Sequence, residues 1–324
     1  MKAWQVDEIT EAGTMRMVDL PEPRPGPGEY RIAVATAGLN FLDTLMVRGR
    51  YQRKPPLPFI PGVEVAGTVL EAGPGAPLGV GQRISGWIET GGFAEQAIVP
   101  VADAVALPDA MPFADALSLL GVNYPTSYHG LLHRAALQPG ETVLVHAGAG
   151  GVGSAAIQIA RGHGCRVIAT AGSPAKLDTC RQLGADEALS YADPGWVDAV
   201  RRLTGGEGAD VIYDPVGGAV GENSLRCLAW MGRYLIVGFA AGGIPALAAN
   251  RLLLKSASAL GVVWGAMRTR DPALAQRVYT ELMALYELGT LAPLIGARYP
   301  LSEAPAALAA LAGRSTTGKI VLET

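Results

Sequence analysis

Residues 142–160 read TVLVHAGAGGVGSAAIQIA, and the fold class can be inferred from this segment. Thr142–Val145 is a short apolar, β-branched run, which predicts a buried strand. The next residues place Gly148, Gly150 and Gly153 in a G-x-G-x-x-G pattern, and alanine-rich residues 154–160 predict a helix. A glycine turn between a strand and a helix is typical of a dinucleotide-binding unit, because it brings backbone N–H groups and the helix dipole to a pyrophosphate.

Two other interpretations of this stretch are weaker. An ordinary glycine-rich turn is conceivable, because the chain contains 42 glycines. A membrane span is conceivable because no Asp, Glu, Lys or Arg lies between Glu141 and Arg161. Four glycines together with His146 and Gln158 disfavour a span, and a parallel strand buried on both faces explains the missing charge.

The residues on either side of this segment predict an α/β protein with two domains. Many short strands with Pro/Gly turns in residues 1–120 favour a small β-rich barrel. From Thr142 onward strands alternate with helices, and six strands in this order predict a Rossmann fold, a doubly wound parallel sheet. We therefore expect a β-rich domain at 1–120 and a Rossmann domain that begins at 121.

The end of the second strand indicates the type of dinucleotide. An NAD site normally has an acidic residue there, but the first acid after the glycine turn is Asp178, within the next predicted helix. Ser173 and Lys176 follow the strand instead, and a hydroxyl, an ammonium and a helix N-terminus suit a 2′-phosphate. NADPH is the predicted cofactor. Lys176 as a solvated surface lysine and Ser173 as a simple helix cap remain alternatives.

Composition and charge exclude several classes of protein. The formal net charge is −3 and no basic run occurs, which argues against a nucleic-acid surface. Residues 1–7 lack the apolar core of a signal peptide, so we expect a cytoplasmic protein without a membrane partner. The three cysteines are far apart and form no C-x-x-C pair, so buried structural thiols are expected rather than a disulfide framework or a metal cage.

The order of these features resembles the medium-chain dehydrogenase/reductase superfamily, and within it the zinc-independent quinone oxidoreductase, or zeta-crystallin-like, branch. In such proteins the chain returns after the Rossmann domain to a GroES-like β domain, so the resemblance implies a β-rich catalytic domain at 1–120 and 264–324 and a Rossmann domain at 121–263. The resemblance covers nearly the whole chain. The segments that carry it are 38–43, 48–51, 61–67, 123–128, 146–153 and 313–319.

Differences from the zinc-dependent alcohol dehydrogenases indicate whether this chain has a zinc site. Those relatives have a Cys where this chain has Asn40, and a His where it has Val63. They also carry a four-cysteine lobe that is absent here. Zinc needs three protein ligands, and the front domain offers no cysteine and no histidine before His129, so no metal site is predicted.

The resemblance implies roles for particular residues, each of which has plain packing as its alternative. Asn40, Tyr51 and Tyr128 are the implied catalytic residues. The implied cofactor contacts are Asn40, Thr126, Tyr128, Gly148, Gly150, Gly151, Val152, Gly153, Ser173, Lys176, Tyr191, Phe239, Val263 and Arg314. Asp43 is expected to brace the helix after Asn40, whereas the roles of Glu64 and Lys319 stay open.

The implied activity is hydride transfer from NADPH to a quinone or an α,β-unsaturated carbonyl, at the cleft between the domains. Conjugated acceptors fit because, without a metal, hydrogen bonds alone must stabilise the developing charge. An enoyl-thioester or enone reductase on the same scaffold is the alternative enzyme, and a non-catalytic NADPH-binding protein is the alternative outside enzymes. A homodimer is expected through the apolar edge at residues 259–264.

Overall fold

The computed structural model describes all residues, Met1–Thr324, and divides the chain into two compact units. The first contains 1–122 and 293–324, and the second contains 123–292. The strands are β1 Lys2–Gln5, β2 Arg16–Asp19, β3 Glu29–Leu39, β4 Glu64–Ala72, β5 Arg83–Trp87, β6 Gln96–Pro100, β7 Ala104–Ala106, β8 Thr142–Val145, β9 Arg166–Ala171, β10 Glu187–Ser190, β11 Ala209–Asp214, β12 Leu228–Ile236, β13 Ser258–Gly261, β14 Ile295–Pro300 and β15 Lys319–Glu323. The α-helices are α1 Phe41–Met46, α2 Phe113–Leu120, α3 Asn123–Tyr128, α4 Gly151–Gly162, α5 Pro174–Gln182, α6 Trp196–Leu203, α7 Gly218–Ser224, α8 Ala249–Leu254, α9 Trp264–Arg270, α10 Pro272–Glu287 and α11 Ala304–Ala312.

The first unit is built on a mainly antiparallel sheet. Its strand order is β14-β15-β3-β4-β5-β7, with β6 also paired to β3, and β1 and β2 form a separate pair. Only β14 and β15 run parallel to each other. The predicted β-rich, GroES-like domain is confirmed. Strands β7 and β14 were not predicted from the sequence, because they are short or half-exposed.

The second unit contains the predicted Rossmann sheet. Its six strands are all parallel in the order β10-β9-β8-β11-β12-β13. The chain therefore starts at the centre with β8, winds outward to one edge through β9 and β10, and returns to build the other half. Ligands of such sheets bind beyond the carboxyl ends of the strands where the winding reverses, which is the end of β8.

The unit boundary near the C-terminus differs from the predicted one. Residues 264–292 belong to the second unit, whereas the family resemblance implied that they belong to the first. The reason is that α10 buries Ala275, Val278 and Leu282 and packs on α3. Helical periodicity in the sequence shows that α10 has an apolar face, but not which domain covers it.

Two further observations concern the helices. The helical segment after α2 is not a regular α-helix, because α3 is followed by a π-helical turn at His129–Arg134. Among the helices, none combines the length with the apolar composition that crossing a membrane requires.

Candidate cofactor and active site

The glycine turn after β8 leads directly into α4. Gly150 is the N-cap, and the first helical hydrogen bond runs from Ser154 N to Gly150 O at 2.8 Å. The N–H groups of Gly151, Val152 and Gly153 therefore lack an acceptor within the helix, as the first residues of any helix do. They form an anion-binding end of the kind that cradles a pyrophosphate.

Close contacts with backbone and side-chain atoms explain why glycine is needed in this turn. A Cβ on Gly153 would lie 2.1 Å from the carbonyl oxygen of Ala147, and one on Gly148 would lie 2.8 Å from Cys180 Sγ. A Cβ on Gly151 would meet the side-chain amide of Asn123 at 2.7 Å. A larger residue at Gly153 would push α4 away from the turn, and one at Gly148 or Gly151 would displace the neighbouring side chains.

Helix α3 is fastened to this turn. Ser127 Oγ hydrogen-bonds Val152 O at 2.8 Å and lies 2.9 Å from the hydroxyl of Tyr213 on β11. The anchored helix carries the predicted residues Thr126 and Tyr128 on either side of Ser127, and both are buried. They therefore lie on an element that contacts the start of α4.

The hydroxyl of Tyr128 is held in its protonated form. Burial raises the pKa of its hydroxyl well above the usual range, and a hydrogen bond to Glu281 raises that pKa further. A carboxylate that accepts this hydrogen bond stabilises the protonated phenol.

The end of β9 holds the predicted adenosine-side residues. A Cβ on Gly172 would lie 3.1 Å from the hydroxyl of Tyr191, so the Tyr191 ring covers this turn. Ser173 is the N-cap of α5, but its hydroxyl makes no capping hydrogen bond. Lys176 lies in the first turn of α5, and burial lowers its pKa. No carboxylate follows β9 before Asp178, so the local chemistry suits a phosphate rather than a ribose hydroxyl.

In the first unit, Asn40 lies at the end of β3 in a buried polar cluster. Its Oδ1 accepts a hydrogen bond from Lys319 Nζ at 2.9 Å, and its Nδ2 donates one to Glu64 Oε1 at 2.8 Å. Lys319 also forms an ion pair with Glu64. The side chains of Lys319 and Glu64 are 1% and 0% exposed, so this is one of the most secluded charged groups in the chain.

Glu64 and Lys319 had no role assigned from the sequence, and no local pattern could have joined them. They are 255 positions apart, and only the antiparallel pairing of β15 with β3 brings Lys319 beside the end of β3. The available signal was a lysine at the head of an apolar strand, KIVL, which suggests a buried charge in need of a partner.

Asp43 braces the helix that follows Asn40, as expected. Its Oδ2 accepts the backbone N–H of Asn40 at 2.7 Å. Complete burial is the main cause that raises its pKa to about 7, and the nearby charge of Glu64 contributes. Its Oδ1 has no hydrogen-bond partner, so this carboxyl is readily held in the protonated form.

The remaining predicted residues are placed as follows. Tyr51 is half-buried in the first unit, and burial raises the pKa of its hydroxyl. Arg314 follows α11 in the same unit, with a positive φ of 56°. Phe239 and Val263 follow β12 and β13 in the second unit, and their side chains are 38% and 59% exposed. Exposed apolar side chains beyond the carboxyl ends of parallel strands are available to line a ligand groove.

His146 has a clear structural role that no sequence pattern revealed. It is fully buried at the end of β8, where Nδ1 lies 2.8 Å from Thr170 Oγ1 and Nε2 lies 2.8 Å from Ser224 Oγ. Ser224 donates its own proton to Val220 O, so its oxygen accepts from Nε2–H and Nδ1 accepts from Thr170. Burial lowers the His146 pKa, and the neutral ring ties β8 to β9 and α7 next to the glycine turn.

Two family models match the chain. The alcohol dehydrogenase GroES-like domain matches residues 26–109, and the zinc-binding dehydrogenase model matches residues 151–283. Together with the two folds, these matches define the class, a medium-chain dehydrogenase/reductase.

Comparison with individual relatives identifies the family within this class. The chain is 41% identical to quinone oxidoreductase-like protein 2 of Rattus norvegicus over 303 residues, which cover 93% of this chain and 86% of that protein. It is 37% identical to the quinone oxidoreductase of Thermus thermophilus, solved alone and with NADPH, with full coverage of both chains and a TM-score of 0.87. A mycobacterial protein complexed with NADPH is 36% identical, also with full coverage, and has a TM-score of 0.93. The chain belongs to the quinone oxidoreductase family of medium-chain dehydrogenases/reductases.

Proposed function

We propose that this protein transfers hydride from NADPH to quinones or α,β-unsaturated carbonyls without a metal ion. Its family membership supports an oxidoreductase, and two similar solved proteins bind NADPH. The main support for this acceptor class and for a metal-free mechanism is the cluster at Asn40. There, an amide that is hydrogen-bonded to two charged side chains occupies the position at which the zinc-dependent relatives have a cysteine thiolate.

The residues of this chain fit NADPH. The bound cofactor would supply the hydride. The N–H groups of Gly151, Val152 and Gly153 would hold its pyrophosphate, with Gly148 and Gly150 shaping the turn. Ser173, Lys176, Tyr191 and Arg314 would bind the 2′-phosphate and adenine side, since no carboxylate competes at the end of β9. Thr126, Tyr128, Phe239 and Val263 are proposed to line the nicotinamide side.

The residues of this chain do not fit zinc, although one matching family model bears the name zinc-binding dehydrogenase. The donors near Asn40 are an amide and two carboxyls, and a lysine ammonium already bonds both the amide and one carboxylate. A second cation beside that ammonium would be repelled. No group of three or more His, Cys, Asp or Glu side chains is arranged to hold a metal ion.

Without a Lewis acid, the acceptor oxygen must be stabilised by hydrogen bonds. We assign this to the Asn40 amide and the Tyr51 hydroxyl. Quinones and enones suit such a site because conjugation spreads the negative charge that builds up as hydride arrives. Tyr51 is preferred to Tyr128 as proton donor, because a hydrogen bond to Glu281 retains the Tyr128 proton.

A substrate panel tests this function. NADPH oxidation is followed at steady state with 1,4-benzoquinone, 9,10-phenanthrenequinone, crotonyl thioester and acryloyl thioester. We expect turnover with the quinones. Thioester turnover without quinone turnover would establish the enoyl reductase instead, and tight NADPH binding with no oxidation across the panel would establish a binding protein. Tyr51→Phe is expected to slow quinone reduction, and an unchanged rate would remove Tyr51 as proton donor.

We also propose a homodimer formed through β13. This strand is the outer edge of the parallel sheet and has only β12 as a neighbour. Exposed apolar side chains surround it, with Trp230, Met231, Leu253 and Leu254 each more than 60% exposed. Such an edge is protected when it pairs with a second copy. Sedimentation should show a dimer that Leu253→Asp/Leu254→Asp dissociates, and a wild-type monomer would refute the proposal.

A further inference from the structure

The buried partners of Asn40 determine the orientation of its side-chain amide. An ammonium can only donate hydrogen bonds and a carboxylate can only accept them. The amide oxygen must therefore face Lys319 and the amide nitrogen must face Glu64, as the distances of 2.9 and 2.8 Å show. A flipped amide would place N–H against the ammonium and C=O against the carboxylate. One N–H of Nδ2 remains for another acceptor.

The protein backbone is built closely around this ion pair. A Cβ on Gly38 would lie 2.1 Å from Glu64 Oε1 and 2.8 Å from Lys319 Cε, and one on Gly121 would lie 1.9 Å from Glu64 Oε2. That second oxygen accepts the backbone N–H of Val122 at 2.8 Å. Both carboxylate oxygens are thus engaged, and the pair has little room to rearrange.

Stability alone does not account for such a pair. Removing two charges from water is unfavourable, and apolar residues of similar volume are often as stabilising as a buried ion pair or more so. The two charges also act on the amide in the same sense. A cation at the oxygen and an anion at one N–H both favour the charge-separated resonance form, which makes the remaining N–H a stronger donor.

We propose that Glu64 and Lys319 are positioning residues that hold and polarise the Asn40 amide, so that its remaining N–H stabilises the acceptor oxygen during reduction. This inference rests on the proposed function, because Asn40 is the group assigned to touch the substrate. The pair itself touches no substrate. It supplies, through a fixed amide, part of the charge stabilisation that a metal gives in zinc-dependent relatives.

The first test reads the amide itself and needs no activity. The chain has only four asparagines, Asn40, Asn123, Asn223 and Asn250, so ¹⁵N labelling of the asparagine side-chain amides gives four pairs of NH2 signals. Asn40→Ser identifies the signal of interest. We expect the wild-type Asn40 protons to be shifted and slow to exchange, and Glu64→Gln/Lys319→Met to shift them towards free amide values and speed their exchange. An Asn40 signal unchanged in that variant would overturn the proposal.

A matched control uses the partly buried pair Arg233–Glu141 of the second unit, which is bonded at 2.6 and 2.8 Å. Glu141→Gln/Arg233→Met is expected to leave the Asn40 signal unchanged. An equal shift there would reveal a general loosening and would count against positioning. Should Glu64→Gln/Lys319→Met not fold, Glu64→Gln/Lys319→Leu, which also removes both charges, is read in the same way.

The second test uses kinetics. Glu64→Gln/Lys319→Met should lower kcat for quinone reduction about tenfold to hundredfold and leave the NADPH Kd unchanged. In an Asn40→Ala background the same two substitutions should cause no further loss, because the group that they position is gone. If the double substitution lowers kcat by the same factor in the Asn40→Ala background as in the wild type, the proposal is contradicted. If the wild type reduces no quinone, the proposed function fails, whereas the amide signal still decides whether Glu64 and Lys319 hold Asn40.

Discussion

The glycine turn of the second unit and the Asn40 cluster of the first unit are built in opposite ways. The turn uses backbone N–H groups from neighbouring residues, and its requirement is the absence of side chains. The cluster uses three side chains, from Asn40 directly after β3, Glu64 on β4 and Lys319 on β15, which are far apart in the sequence. A cofactor shared by many enzymes is thus held by the backbone, while the proposed chemistry depends on a long-range ion pair.

The largest effect that separates the two regions is expected from Lys319→Met. This substitution leaves the Glu64 carboxylate buried without its cation, which destabilises folded proteins by about 3–5 kcal/mol. Urea denaturation should show this loss, and adding Glu64→Gln should recover much of it. If Lys319→Met proves as stable as the wild type, the ion pair is not the buried contact described above.

Gly153→Ala tests the other region. The new Cβ would lie 2.1 Å from the Ala147 carbonyl oxygen, so α4 must move away from the turn. Hydrogen bonds to a charged phosphate contribute about 1.5–3 kcal/mol each, so losing one should raise the NADPH Kd by about tenfold to hundredfold in a fluorescence titration. Gly79→Ala is the control, since only Gln82 Oε1 lies within 4 Å of its Cβ, at 3.9 Å. Unaltered binding by Gly153→Ala would argue against the turn as the pyrophosphate site.

The two regions also differ in how far the sequence predicts them. The glycine spacing, the alternation of strands and helices and the missing acid after β9 are local patterns, so the Rossmann sheet and the turn follow from them. The pairing of Lys319 with Glu64 follows only from the order β15-β3-β4, which no local pattern encodes. The domain that covers α10 is likewise a matter of tertiary packing, which is why the predicted boundary at residue 264 differs from the observed one.

Asp43→Asn tests how the buried charges beside Asn40 make stability depend on pH. The folded chain holds the Asp43 proton up to a pKa of about 7, compared with 3.8 ordinarily. Between these values the folded state binds more protons than the unfolded state, so this group's stabilisation is present at low pH and lost as pH rises through about 7. The free energy of unfolding of the wild type, minus that of Asp43→Asn, should fall by about 3 kcal/mol from pH 5 to pH 8, most of it below pH 7. A constant difference would mean that Asp43 does not titrate in this range.

The smallest effect is expected at the adenosine side. Lys176→Met removes a positive charge next to the proposed 2′-phosphate site, and the loss of one such contact weakens NADPH binding about tenfold. NADH binding should stay the same, because NADH has no phosphate there. Parallel titrations with both cofactors measure this, and an equal loss for both would place Lys176 elsewhere on the cofactor or in a purely structural role.

The most direct test of the central claim is NADPH oxidation by metal-depleted protein with 9,10-phenanthrenequinone. The wild type is treated with a chelator, its zinc content is measured, and initial rates are compared with those of the untreated protein. We predict equal rates at negligible zinc content. A loss of activity that added zinc restores would contradict hydride transfer at a site organised by Asn40, Glu64 and Lys319.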